Sequence, residues 1–310
     1  MKEVSTAGIL ALIAASFFYA SLGGIARTLD AEYSILEQTY IRTILSCMFL
    51  VVLCWGSIRF SAVRNVSLAE WGLLVLRSLF MYVGGVLLFV YGILHMKYGI
   101  ASLIASFPFV ALFGSLWYGQ PLTPQKIAAL CVAVCGLCVL GVQPETLSFS
   151  FGLPEYAVVL SSVSFGIAYA TRLSHSDVLN DIEIAVLMFL VSSILVYVLA
   201  LISGSSYIPH MPHTTFVAGT LLIGSCISAL AMVCLNYGFK RVSIVYADVL
   251  LMLEIPFALF VGYAFYTETL TLFEACGTVL ICGGIYWLHT QEGSSQSPVY
   301  KGGSGTEAPV

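Results

Sequence analysis

Charge is what this chain most lacks. Asp, Glu, Lys and Arg make up 9% of its 310 residues, where a soluble domain carries roughly a quarter. Too little polar surface remains to cover a water-soluble globule. No basic run or patch is present either, so nucleic acid is not an expected partner. Cysteine is missing from every predicted loop. Cys47, Cys54, Cys131, Cys135, Cys138, Cys226, Cys234, Cys276 and Cys282 all fall inside apolar segments, which implies no disulfide framework. Cys131, Cys135 and Cys138 share a helical face and are expected to pack one helix on another rather than to hold a metal. A Gly-rich phosphate loop, a His-Glu-x-x-His pair and a nucleophile elbow are also lacking. His210 and His213 flank Pro212 with no cysteine or acid nearby, too little for a metal site. Neither an enzyme nor a bound cofactor is expected, and no ATP site exists to drive work by hydrolysis.

What is abundant is hydrophobic residue, 59% of the chain. It falls in runs near the roughly 20 residues that cross a bilayer as a helix. Ten spans are expected, near 7–27, 35–56, 70–92, 99–119, 125–142, 153–172, 182–203, 215–238, 244–266 and 271–289. Helices are expected rather than strands, because the segments are continuous apolar runs without period-two alternation, and lipid demands internal backbone bonding. The first run is read as a retained span, since it lacks a small-x-small cleavage site. After His289 the sequence turns to Ser, Gly and Pro, and residues 290–310 are expected to form a disordered cytoplasmic tail.

The sequence is written twice. The stretch from Tyr98 to Val142 returns 148 positions later without a gap. Pro108 then falls on Pro256, Phe109 on Phe257, Gly114 on Gly262, Tyr118 on Tyr266 and Gly136 on Gly284, while Gln120 meets Glu268. The units are 7–142 and 153–289. Five spans per unit is an odd number, so the second must enter the membrane from the opposite side. Inverted repeats of this kind are common among secondary transporters. Lys2, Arg59, Arg64, Lys126, Arg172, Lys240, Arg241 and Lys301 fall on one side of the ten spans, and Arg27 and Lys97 on the other. That bias puts both termini in the cytoplasm of a multi-pass protein of the cell (inner) membrane.

Ten spans in two halves, each with a proline in its fourth span, resemble the drug/metabolite transporter superfamily, and within it the EamA-type family. The residues that carry the likeness are Arg42, SFPFVALFGSLWYGQPLT at 106–123 and MLEIPFALFVGYAFYTETLT at 252–271. Glu268-Thr269-Leu270-Thr271 matches the family's acid-x-Leu-Thr signature; Gln120 departs from it. The resemblance implies a substrate cavity lined by the first, third, fourth, sixth, eighth and ninth spans, with the fifth and tenth to the side.

An ionisable group at mid-membrane is costly, and so marks function by default. Glu254, two residues before Pro256, is expected to bind a substrate ammonium or to take up a proton. Asp248, on the same span but at about 100° per residue well away from the face of Glu254, is a gate acid or a snorkelling interface residue. Arg42 and Arg77 either snorkel or bind an acid or a substrate carboxylate. Tyr19, Tyr82, Ser106, Tyr169, Asn236 and, secondarily, Tyr246 complete the cavity candidates, with rings suited to a cation. Pro108 and Pro256 are assigned to bending and gating. The expected function is a secondary transporter moving a small amino-acid-like or amine-bearing metabolite by alternating access. A broad-specificity drug or metabolite exporter of the same fold, or a non-transporting membrane sensor or scaffold, are the alternatives. The expected partners are a small-molecule substrate and the lipid bilayer, and small residues at Ala129, Ala133, Gly277 and Gly284 could support a homodimer.

Overall fold

The computed structural model describes residues 5–96, 98–119, 123–140, 152–204, 211–266 and 271–294, and every regular element among them is helical. Gln120, Glu268 to Leu270, Lys97, His210 and the chain beyond Ser294 lie outside the described residues. The first unit holds α1 (Thr6–Leu29), α2 (Ile35–Leu53), α3 (Leu68–His95), α4 (Tyr98–Ala105), α5 (Phe109–Tyr118) and α6 (Pro124–Leu140). The second holds α7 (Leu153–Ala170), α8 (Asp181–Ile202), α9 (Thr215–Arg241), α10 (Ile244–Leu251), α11 (Glu254–Tyr266) and α12 (Leu272–Ser294). The 148-residue offset read from one stretch carries each helix of the first unit onto its counterpart, with starts agreeing within three residues.

Local sequence explains where the helices begin. Ser5, Ser34, Ser67, Asn180 and Thr214 each turn a side-chain oxygen onto first-turn amides, meeting donors that have no partner within the helix. Ser34 with Glu37, and Asn180 with Glu183, close reciprocal capping boxes.

The expected spans differ from the structure in four ways. Among the described residues, seven helical segments are long and apolar enough to cross a membrane, while the fourth, fifth and tenth predicted spans correspond to shorter apolar helices. The fourth and ninth are not continuous. The fourth stops at Ala105 and restarts at Phe109, with Pro108 as the N-cap of α5; the ninth stops at Leu251 and restarts at Glu254. Pro256 falls in the first turn of α11, where its missing N–H costs no helical bond. The bend expected at the prolines is therefore a break in each repeat. The third span contains a π-helical stretch, Leu79–Leu87, that hydropathy does not signal. Finally, α12 runs to Ser294, five residues into the segment expected as tail.

The α6 and α12 helices pack against each other at the side of the bundle. A Cβ on Gly136 would stand 2.8 Å from the carbonyl oxygen of Gly277, and one on Gly284 would stand 2.9 Å from that of Ala129. The small residues expected to support a dimer are thus consumed within the chain. Cys131, Cys135, Cys138, Cys276 and Cys282 point outward instead of packing between helices. The small face leaves them on the opposite side of the helix. Gly284→Ala should destabilise the protein by about 1–3 kcal/mol through overpacking. Its neighbour Gly283 meets nothing within 4 Å, so Gly283→Ala should be neutral or stabilising by up to about 1 kcal/mol. Thermal unfolding in detergent compares the two.

Candidate functional site

The two helix breaks meet at the centre of the bundle. Between them lies a cavity of about 130 Å³, lined by α1, α2, α3, α7, α8, α9 and both broken spans. The spans implied by the resemblance did not include α2 and α8; Thr39, Thr43 and Ser46 come from the first, beside the candidate Arg42, and Phe189 from the second. The π-helical stretch brings Met81, Tyr82 and Val86 onto the wall. It fits because Gly84 and Gly85 abut α7; a Cβ on either would fall within 2.6 Å of Ser164 or Phe165. Neither α6 nor α12 contributes to the lining.

Tyr19, Arg42, Tyr82, Ser106, Tyr169, Asp248 and Glu254 are brought together on this cavity. Glu254 opens α11, and Ser106 is its repeat counterpart at the other break. Glu254 is half-buried, feels the hydroxyls of Tyr19 and Tyr169, and has no hydrogen bond or ion pair to any described residue. Arg42 is buried rather than snorkelling. Its Nη2 donates to Ser228 Oγ at 3.0 Å, while its Nε has no partner.

Asp248 faces the cavity with Glu254, contrary to the helical-phase expectation. A fixed 100° per residue does not carry across the break at Met252–Leu253. Nor is Asp248 at an interface; it is 6% exposed, and its Oδ2 accepts the Ala111 N–H at 2.7 Å. Ala111 is in the first turn of α5, whose N-cap is Pro108. Proline has no side-chain oxygen, so the acid of one repeat caps the half-helix of the other.

Arg77, Asn236, Pro108 and Pro256 are not part of the lining. Tyr246, also buried, lies outside it as well. Arg77, 1% exposed, lies beyond Tyr169 toward the α7–α8 connection. Its Nε donates to Ala168 O at 2.8 Å and its Nη2 to Asn236 Oδ1 at 2.7 Å. The network continues outward. Asn236 Nδ2 reaches Asp181 O at 3.4 Å, and the Asp181 carboxylate takes Arg172 and, at 2.9 Å, Arg241. Glu183 accepts Arg59 at 2.9 Å, and Lys240 reaches Asp177 at 2.5 Å. Polar bonding therefore closes this end, whereas the cavity lining extends to Ala26, Thr39 and Ile93 at the opposite end of the bundle. No group of three or more His, Cys, Asp or Glu that could hold a metal occurs among the described residues.

His175 is buried with its Nδ1 2.6 Å from Glu70 Oε1. Burial, helped by the charge of Arg77, pushes the imidazole down to about 4. The ring is thus neutral, and Nδ1–H donates to the carboxylate. Sequence offered no signal for this pair, which lies 105 residues apart.

Set beside known proteins, the sequence model of the EamA-like transporter family matches residues 6–142 and again residues 153–290. No curated protein matches the sequence. One solved structure, described only as the crystal structure of a protein, shares 16% identity, with a TM-score of 0.76 over 94% of this chain and 100% of its own. At that identity it supports the fold alone.

Two tests follow from the geometry. Asp248→Leu leaves the Ala111 N–H without its acceptor and should cost about 1–3 kcal/mol. Asp248→Asn keeps an acceptor oxygen and should cost less; thermal unfolding in detergent separates them. For His175, the folded ring binds a proton less readily than the unfolded one, whose value is near 6.5. Its contribution to stability is therefore complete above pH 6.5 and declines as pH falls toward 4, by up to about 1.4 kcal/mol per unit. A melting profile over that window should be shallower in His175→Gln.

Proposed function

The chain belongs to the EamA-like transporter family, and from that premise we propose that it moves a small amino-acid-like or amine-bearing metabolite across the cell membrane by alternating access. The carrying observation is Glu254: a carboxylate on the cavity wall, beside Tyr19 and Tyr169, with no hydrogen bond or ion pair to any described residue. A carboxylate in a dry interior is costly unless paired. A substrate ammonium is the natural partner, and tyrosine faces add cation–π attraction. The inverted repeats supply two equivalent half-structures that can exchange shapes. In the described one, the cavity leans toward the α1–α2 end while the Arg77–Asn236–Asp181 network closes the other. With both termini on the cytoplasmic side, as the Lys and Arg bias favours, this is an outward-leaning state. The Asp248 cap ties the two moving half-helices together, which suits a gating or coupling role for Asp248, with Pro108 and Pro256 holding the breaks.

The test is thermal stabilisation of the purified protein by a panel of amino acids, amines and nucleosides. A ligand at about 100 times its dissociation constant adds about 2.7 kcal/mol. An amine-bearing hit should lose at least tenfold in affinity in Glu254→Gln, and its uptake into proteoliposomes should fall in parallel. Affinity unchanged in that variant would remove Glu254 from the binding role.

A further inference from the structure

We propose that the buried contact between His175 and Glu70 is a proton-released latch on the closed end of the cavity. The inference concerns regulation. It rests on the reading that the two repeats exchange shapes, and it is independent of what the cavity binds.

The latch joins the repeats. His175 lies on the connection between α7 and α8, and Glu70 lies in the first turn of α3. The Nδ1 of His175 is 2.6 Å from Glu70 Oε1, and the Ser176 N–H donates to Glu70 Oε2 at 3.3 Å. One carboxylate of the first repeat thus holds the connection of the second. It does so at the end of the bundle where Arg77 meets Asn236. Parting α3 from this connection breaks both bonds.

Only the neutral ring fits there. With Nδ1–H given to Glu70, a second proton goes to Nε2, which is buried without an acceptor among the described residues. A buried donor left unmade is penalised. Neighbouring charge opposes the proton as well. Arg77 acts on His175 from α3 and Arg172 from its own connection, against the single carboxylate of Glu70. The other charges at this end pair among themselves: Asp181 with Arg172 and Arg241, Asp177 with Lys240, and Glu183 with Arg59. Tyr118 of α5 bonds the hydroxyl of Ser174. Burial and the two arginines push the closed-state imidazole down to about 4. Once the end opens, water reaches Nε2 and the ring returns toward about 6.5. The open state therefore binds the proton more tightly, so acid favours opening. Between those two values the open population rises by up to about tenfold per pH unit.

The opposite end lacks the device. Under the 148-residue offset His175 corresponds to Arg27 and Glu70 to Ala218. Arg27 donates to Ile93 O at 3.1 Å, inside its own repeat. His213 and Glu32 do meet across the repeats there, at 3.4 Å, but that imidazole is 73% exposed. Water serves its second nitrogen in either protonation state. Acid therefore acts on one end of the molecule and not on the other.

The test is hydrogen–deuterium exchange on the full chain in detergent, corrected for the chemical exchange rate at each pH. From about pH 7.5 to about pH 5.5, protection should fall about tenfold in residues 171–180 and in the adjoining ends of α7 and α9, while α6 and α12 keep theirs. His175→Gln retains an amide that can donate to Glu70 but does not titrate, so its protection should not change with pH. The wild-type profile needs no variant, so a folding defect in His175→Gln cannot mask the result. Unchanged protection in the wild type would overturn the latch. So would loss confined to residues 171–180, because the contact then holds no gate. Equal loss in α6 and α12 would overturn it too, as global unfolding, and so would a pH response that persists in His175→Gln. None of these outcomes bears on Glu254, whose ligand affinity is measured separately.

Discussion

The bundle has to satisfy its polar groups from within, because lipid offers them nothing. Much of its interior follows from that demand. The cost of breaking two spans at mid-membrane is that fresh helix ends are exposed where water is scarce. At Pro108 the local sequence has no oxygen to supply, and the deficit is met from the other repeat by Asp248 at 2.7 Å. At the closed end, Arg77, Asn236, Asp181, Arg172 and Arg241 answer one another in series. The demand is not met everywhere: the buried Arg42 Nε, Arg77 Nη1 and Arg172 Nε lack a partner among the described residues, and on the cavity wall the Glu254 carboxylate has none either.

The fold is duplicated but its chemistry is not. Glu254 corresponds to Ser106, Asp248 to Ile100 and Arg42 to Leu190 under the same offset. Backbone architecture depends on helix length, breaks and small-residue contacts, which both copies share. Charge on the walls of a single central cavity is under no such constraint, and there the two copies differ. The side-by-side packing of α6 and α12 shows the shared part, with Gly136 and Gly284 in equivalent close approaches. The cavity walls show the divergent part.

The sequence by itself determined the class, the repeat and the pool of candidate residues. Low charge forces the chain into lipid, an ungapped 148-residue offset writes the helix order twice, and an ionisable residue inside an apolar run is legible one at a time. It could not say which candidates meet. Helical phase separated Asp248 from Glu254, but the break between them reset the phase and placed both on one cavity. Asn236 reads as a cavity residue and Arg77 as a snorkelling or charge-binding one, because each is polar within a span, yet they partner each other outside the cavity lining. The π-helical turn that admits Tyr82, the His175–Glu70 pair and the cross-repeat cap have no sequence signature, since each joins groups on different elements whose approach only the packed bundle fixes. Periodicity reports the environment of a residue along its own helix; which residue lies opposite was decided by tertiary structure, where the partners are.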